Sequence, residues 1–317
     1  MTAIEVTGLT KSYTVSGGRG RRGKDDAAKT VHAVKGIDLH VEEGEILAFL
    51  GSNGAGKTTT IEILEGFRER TSGDVRVLGE DPATAPHSWR EDIGVVLQES
   101  EPDSDLTARE SLQFFRAAYA NPRSVDEVLE IVGLTDSADQ RTTKLSGGQK
   151  RRLDLATALV GDPRLIFLDE PTTGFDPSAR REAWGMIENL RSVGATVLLT
   201  THYMDEAESL SDRIVVISEG LIIANGTADD LASQVSSKTQ ISWDAAEVPR
   251  SALPPGLDVI ETDNGFSIET DDVTAVLHAL TSASTTAGTN LMSLSVTRPN
   301  LEDTFLRLTG DQSGDTA

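Results

Sequence analysis

Gly51-Ser52-Asn53-Gly54-Ala55-Gly56-Lys57-Thr58 fits the pattern G-x-x-x-x-G-K-[ST] at every fixed position, and no other stretch limits the fold so tightly. An apolar run, residues 46–50 (ILAFL), precedes it and reads as a buried strand; the residues after it, 58–64, read as a helix. Strand, glycine-rich loop and helix in that order are the context the pattern needs. Glycines let the backbone wrap closely around phosphate, and successive N–H groups at a helix start form an anion nest. Gly51, Ser52, Asn53, Gly54, Ala55 and Gly56 are therefore candidate phosphate contacts, with Thr59 just inside the helix. Lys57 is expected to reach the β- and γ-phosphates, and the Thr58 hydroxyl to hold Mg²⁺.

A loop of this kind sits on an α/β sheet, and the surrounding sequence agrees. Short apolar runs alternate with helical patterns from about Ile4 to Gly226, for example 45–50, 92–97, 165–169, 196–200 and 213–218. Continuous apolar strands are those buried on both faces. From 99 to 162 the pattern changes: 106–120, 125–132 and 147–160 read as helices, a helical insertion in the core.

Residues 15–30 (VSGGRGRRGKDDAAKT) carry four glycines and five basic side chains without apolar periodicity. They read as a mobile loop, either a solvated hairpin extension or a basic tether for lipid head groups or an acidic partner. Beyond Gly226 the composition shifts. Residues 229–317 hold 14 acidic and four basic side chains, so they carry −10 of the net charge of −22. Strands are expected at 240–243, 257–261, 266–270 and 291–297, and a helix at 272–283. The expected organisation is a first domain over 1–226, a small β-rich α+β domain over 227–309 and a disordered tail over 310–317.

The net charge of −22, with a pI near 4.6, argues against coating nucleic acid through overall charge. The absence of cysteine excludes disulfides, thiolate metal sites and cysteine nucleophiles. The apolar runs are strand-sized, below the roughly 20 residues of a spanning helix. The first residues lack the basic and apolar regions of a signal peptide. A cytoplasmic chain is the expectation, with any membrane-spanning part supplied by a partner.

Two further motifs carry chemistry. Leu165-Ile166-Phe167-Leu168-Asp169-Glu170 is a buried strand that delivers two carboxylates to the edge where open α/β sheets bind ligands. Asp169 is expected to hold Mg²⁺ through water, and Glu170 to polarise an attacking water as general base. Leu145-Ser146-Gly147-Gly148-Gln149 precedes a helix rich in basic residues. Ser146 and the two glycine N–H groups there make a second anion site. Both sites face one nucleotide only if two subunits share it.

With these residues in place, the chain resembles the nucleotide-binding subunit of an ATP-binding cassette (ABC) transporter. The resemblance covers residues 2–226, and LSGGQ is that family's signature. It implies the ABC type of P-loop NTPase fold. It also implies that Tyr13 stacks on adenine and that Gln98 senses the γ-phosphate, with a share in the metal site. Gly174-Phe175-Asp176-Pro177 matches the D-loop, with Phe175 where leucine is usual, and His202 matches the switch histidine. The catalytic set so implied is Glu170, His202, Lys57 and Gln98. Asp176, Tyr13 and Ser146, Gly147, Gly148 and Gln149 join the phosphate loop in binding nucleotide, and Thr58, Gln98 and Asp169 form the metal set.

In this family two cassettes close head to tail on two MgATP molecules. One intact cassette in this chain implies a homodimer, peripheral on the inner face of the membrane and bound to a separate multi-spanning permease. The insertion and the Gln98 loop are the expected grip. The acidic stretch 99–105 (ESEPDSD) either lines the groove for a permease helix or is a solvated turn. Residues 200–208, Gln98-Glu99 and 299–306 (PNLEDTFL) resemble the drug- and antibiotic-export, daunorubicin-resistance type. Leu301, Phe305 and Leu308 share one helical face there and can dock on the body. Importer cassettes share the catalytic residues and stay open as an alternative. More remote is a non-transport ABC ATPase acting on ribosomes or DNA.

Overall fold

The computed structural model describes residues 1–15, 29–96, 105–192, 194–235, 238–254, 256–262 and 265–297. Residues 16–28 of the basic loop, Gln98, residues 99–104 of the acidic stretch, the 299–306 segment and the 310–317 tail lie outside them. The chain divides into two compact units, Met1–Thr227 and Ala228–Ala317.

The first unit opens with two long strands, β1 (Thr2–Val15) and β2 (Lys29–Glu42), followed by β3 (Ile46–Leu50), α1 (Lys57–Leu64), β4 (Ser72–Val77) and β5 (Ile93–Val96). Helices α2 (Ala108–Arg116), α3 (Val125–Ile131) and α4 (Gly147–Leu159) come next. Then follow β6 (Leu165–Asp169), α5 (Pro177–Ser192), β7 (Thr196–Thr201), α6 (Met204–Leu210), β8 (Arg213–Ser218) and β9 (Leu221–Gly226).

Six strands form the main sheet in the order β5-β6-β7-β3-β8-β9, parallel except for the β8–β9 pair. All five residues of β3 and all six of β7 are buried, which explains their unbroken apolar character. A second, antiparallel sheet runs β2-β1-β4. One apolar core joins the two sheets, with Ile4, Val6, Val34, Ile37 and Val75 against Leu47, Phe49, Phe167 and Leu198. Each such side chain contributes roughly 1.5–3 kcal/mol on burial.

The insertion helices pack on one another and on α5. Thr107 caps α2 in a capping box with Glu110. The helix stops at Arg116, short of the expected 120, where Ala117, Ala118 and Tyr119 N–H groups bond three residues back instead of four.

The second unit holds α7 (Ala228–Val235), β10 (Thr239–Trp243), β11 (Val259–Thr262), β12 (Gly265–Thr270), α8 (Val273–Ala287) and β13 (Ser295–Thr297). Its antiparallel sheet runs β11-β12-β10-β13. Val276, Leu280 and Ala283 of α8 pack on Ile241, Trp243 and Ile268. Gly288 ends α8 in the left-handed conformation (φ 69°), five residues beyond the expected 283. β13 covers only the end of the expected 291–297 strand.

Candidate active site

Strand order creates the site. β6, β7 and β3 are parallel neighbours, with Asp169 paired to Thr200 and Leu50 to Thr201. The segments that follow, beginning at Gly51, Glu170 and His202, therefore leave one carboxyl edge of the sheet.

The phosphate loop lies tight on the body. A Cβ added at Gly51 would stand 2.4 Å from the Ile217 carbonyl oxygen, and one at Gly56 2.6 Å from that of Ala33. Gly56 also takes φ 110°, where only glycine is at ease. Ala55 is buried beneath, while Ser52, Asn53 and Gly54 face outward. Thr58 is exposed on the first turn of α1, and Thr59 is half-buried. Tyr13, on β1, brings its hydroxyl to 3.5 Å from Thr59 Oγ1. Lys11 Nζ and the Arg68 guanidinium carbon lie 5.1 Å and 5.4 Å from its ring centre.

Lys57 is buried. Its Nζ donates to the carbonyls of Gly51 (2.8 Å) and Ser52 (3.3 Å) and stands 3.2 Å from Glu170 Oε1. Glu170 Oε2 accepts from Thr173 Oγ1 at 3.0 Å and lies 3.4 Å from His202 Nδ1. Burial alone raises the Glu170 pKa, but Lys57, the Thr173 hydroxyl and His202 outweigh it and hold the group below its ordinary value. It is a ready carboxylate. Its backbone is in the left-handed region (φ 47°), a strained conformation for a glutamate.

Thr200 ties the two acids together. Its hydroxyl donates to Asp169 Oδ1 and accepts from the Glu170 N–H at 2.9 Å. Glu65, at the end of α1, is a further acid of the site: burial, then the charges of Asp169 and Glu62, push its pKa up to about 8. None of Thr200, Thr173 or Glu65 stands out in the sequence. The only signal for Thr200 is its place two residues before His202.

Residues 146–149 lie at the start of α4. Ser146 Oγ accepts from the Gln149 N–H, and Gln149 Oε1 accepts from the Ser146 N–H, a closed capping box. A Cβ at Gly147 or Gly148 would meet nothing within 4 Å, and neither has a positive φ. Their own chain thus gives no reason for glycine. Asp176 Oδ1 caps α5 through the N–H groups of Ser178 and Ala179. Among the described residues, no group of three or more His, Asp or Glu could hold a metal by itself. Mg²⁺ needs no such cage, because one or two protein groups, substrate phosphates and water complete its shell. One acid (Asp169) and one hydroxyl (Thr58) suit it.

A family model described as ABC transporter matches residues 34–173. The chain is 36% identical to the daunorubicin/doxorubicin resistance ATP-binding protein DrrA of Streptomyces peucetius, over 99% of its own length and 94% of the relative's. It is 40% identical to the Nod factor export ATP-binding protein I of Paraburkholderia xenovorans, over 99% of both. Its fold matches the dimeric ATP-binding cassette MJ0796 bound to ADP and Pi, with a TM-score of 0.58 and 25% identity, over 71% of this chain and 98% of that one.

Proposed function

The chain belongs to the ABC transporter family, and we propose on that premise that two copies clamp two MgATP molecules and drive a separate membrane permease in export. It is the ATP-binding, ATP-hydrolysing subunit. The export direction follows the names of its resistance and Nod factor export relatives. No helix among the described residues is long and apolar enough to cross a membrane; the permease is proposed as a separate partner, with this subunit peripheral on the inner face.

The observation that carries the reading is the convergence of Lys57, Glu170 and His202 within 3.2 Å and 3.4 Å contacts at one sheet edge. Lys57 and the loop N–H groups bind the triphosphate. Thr58 and Asp169, with Gln98, would hold Mg²⁺, which neutralises charge on the phosphate oxygens when bound. Glu170 takes the proton of the attacking water, and His202 orients that water. Tyr13 stacks on the base. The open faces of Gly147 and Gly148 suit the γ-phosphate held by the other copy, and Asp176 is assigned to the same shared site.

For the permease, α2 offers Phe114 and Phe115, 69% and 42% exposed and edge-on at 5.6 Å. Such exposed aromatics suit an apolar helix of a partner.

Size-exclusion chromatography with light scattering on Glu170→Gln tests the clamp. A dimer only with MgATP is the expected result. A monomer carrying bound ATP would overturn the homodimer.

A further inference from the structure

The switch histidine is held in an unusual way. His202 Nδ1 is buried with no hydrogen-bond partner, although Glu170 Oε2 lies 3.4 Å away. No hydrogen bond at Nδ1 therefore fixes the orientation of the ring. Its other neighbour is Tyr203, whose ring centre lies 4.0 Å from that of His202 at an interplanar angle of 40°. On Tyr203 rests Arg180 of α5, its guanidinium carbon 3.9 Å from the ring centre. Arg180 Nε is buried and also without a partner, and the carboxylate that Arg180 approaches, Asp205, stands 3.8 Å off. A guanidinium with an unpartnered Nε laid against an aromatic face is a cation–π contact.

The stack begins at a defined place. The Arg180 N–H bonds to the Asp176 carbonyl at 3.0 Å, and the Asp176 carboxylate caps the same turn. The segment 174–177 is thus tied to the helix turn that carries Arg180. Beneath the stack, buried Glu206 accepts from Thr172 Oγ1 (2.7 Å) and Trp184 Nε1 (3.1 Å), anchoring α6 to the chain after Glu170 and to α5.

We propose that Arg180 and Tyr203 are positioning residues for ATP hydrolysis: the Arg180–Tyr203–His202 stack fixes the imidazole against Glu170 and makes its placement follow the 174–177 segment. This rests on the ATPase reading above, so wild-type hydrolysis and its loss in Glu170→Gln are measured alongside. Failure of those controls strikes that reading; success with no effect at Arg180 strikes this one alone.

The test is steady-state ATPase kinetics on the full chain. Arg180→Met and Tyr203→Ala should lower kcat about tenfold or more and leave KM within about twofold, as for a group acting in the chemical step. Tyr203→Phe, which keeps the ring, should restore most of the rate, and Arg180→Lys, which keeps the charge but loses the planar face, only part of it. Asp205→Asn removes the Arg180 ion contact without touching the stack and should match wild type. In a His202→Ala background, Arg180→Met should cost nothing further, because Arg180 acts on the rate only through His202 and residues of one network couple. The His202 imidazole NMR signal, identified by its loss in His202→Ala, should shift in Arg180→Met and Tyr203→Ala. An unmoved signal, an unchanged kcat, a KM rising in step with the lost rate, or an additive double variant would each overturn the proposal. Should Arg180→Met fail to fold, Tyr203→Ala against Tyr203→Phe decides the question.

Discussion

Lys57 Nζ stands 3.2 Å from Glu170 Oε1 while it also donates to the carbonyls of Gly51 and Ser52. The ammonium is therefore held by two carbonyls and one carboxylate. A γ-phosphate that takes Lys57 must draw it away from Glu170, which frees that carboxylate at the moment it is needed as a base. Neutralising Glu170 should consequently help binding and abolish chemistry. We expect Glu170→Gln to bind ATP tighter by about 1 kcal/mol, roughly fivefold in Kd. Its hydrolysis should fall about 10²- to 10⁴-fold. Lys57→Ala should lose much of the binding itself. Calorimetric titration of the three chains checks the order; weaker ATP binding by Glu170→Gln would refute the competition.

Thr200 is fully buried, and one hydroxyl serves both acids. Thr200→Val keeps the shape and removes the oxygen, leaving the Glu170 N–H unpaired in a strained backbone. The expected loss of stability is about 1–3 kcal/mol, with a lower hydrolysis rate and a weaker dependence on Mg²⁺. Thr200→Ser should restore both. Urea unfolding and an Mg²⁺ titration of the ATPase rate test this; equal behaviour of the Val and Ser variants would show that the hydroxyl is idle.

The difference between Lys57 and Thr200 also explains what was legible in the sequence. Phosphate chemistry demands glycines, a lysine and a hydroxyl at fixed local spacing, so the loop at 51–58 can be read directly. The Asp169–Glu170 pair and His202 are readable because each ends an apolar strand. Thr200 is not, since its partners are 31 and 30 residues away and meet it only through the β6–β7 register. The β1–β2 hairpin escapes for another reason: register shifts after Val6, Leu9 and Lys11 break the two-residue alternation that marks a strand. Glu65 reads as an ordinary helix-surface acid, and only tertiary burial makes it otherwise. Gly147 and Gly148 are legible as a motif, yet nothing around them in their own chain asks for glycine.

Those glycines make a prediction whose two parts have opposite signs. A methyl at Gly148 meets nothing in its own chain, and alanine is the better helix former. Gly148→Ala should therefore be stabilised by about 0.5 kcal/mol as a monomer. In the proposed clamp the same methyl would stand against the partner's nucleotide, so ATP-dependent dimerisation of Gly148→Ala in the Glu170→Gln background should be lost. Differential scanning calorimetry and light scattering give the two readings. A dimer formed as readily as in Glu170→Gln alone would mean that the signature glycines do not contact the shared nucleotide.

Glu65 sets a pH dependence of stability. Its folded pKa is raised from about 4.5 to about 8, by burial first and then by Asp169 and Glu62. Between those values the folded chain holds a proton that the unfolded chain has released. Stability contributed by this group is thus fully present below the unfolded value, falls as pH rises through the window, and levels off above about 8. Glu65→Gln removes the titration while keeping the shape of the protonated acid. The variant should match wild type near pH 4.5 and gain on it steadily, by on the order of a few kcal/mol above pH 8. Urea unfolding of both chains at several pH values, without nucleotide or Mg²⁺, measures the gap. A gap that stays constant with pH would assign the slope to another group, with buried Glu206, whose pKa burial also raises, as the next to replace.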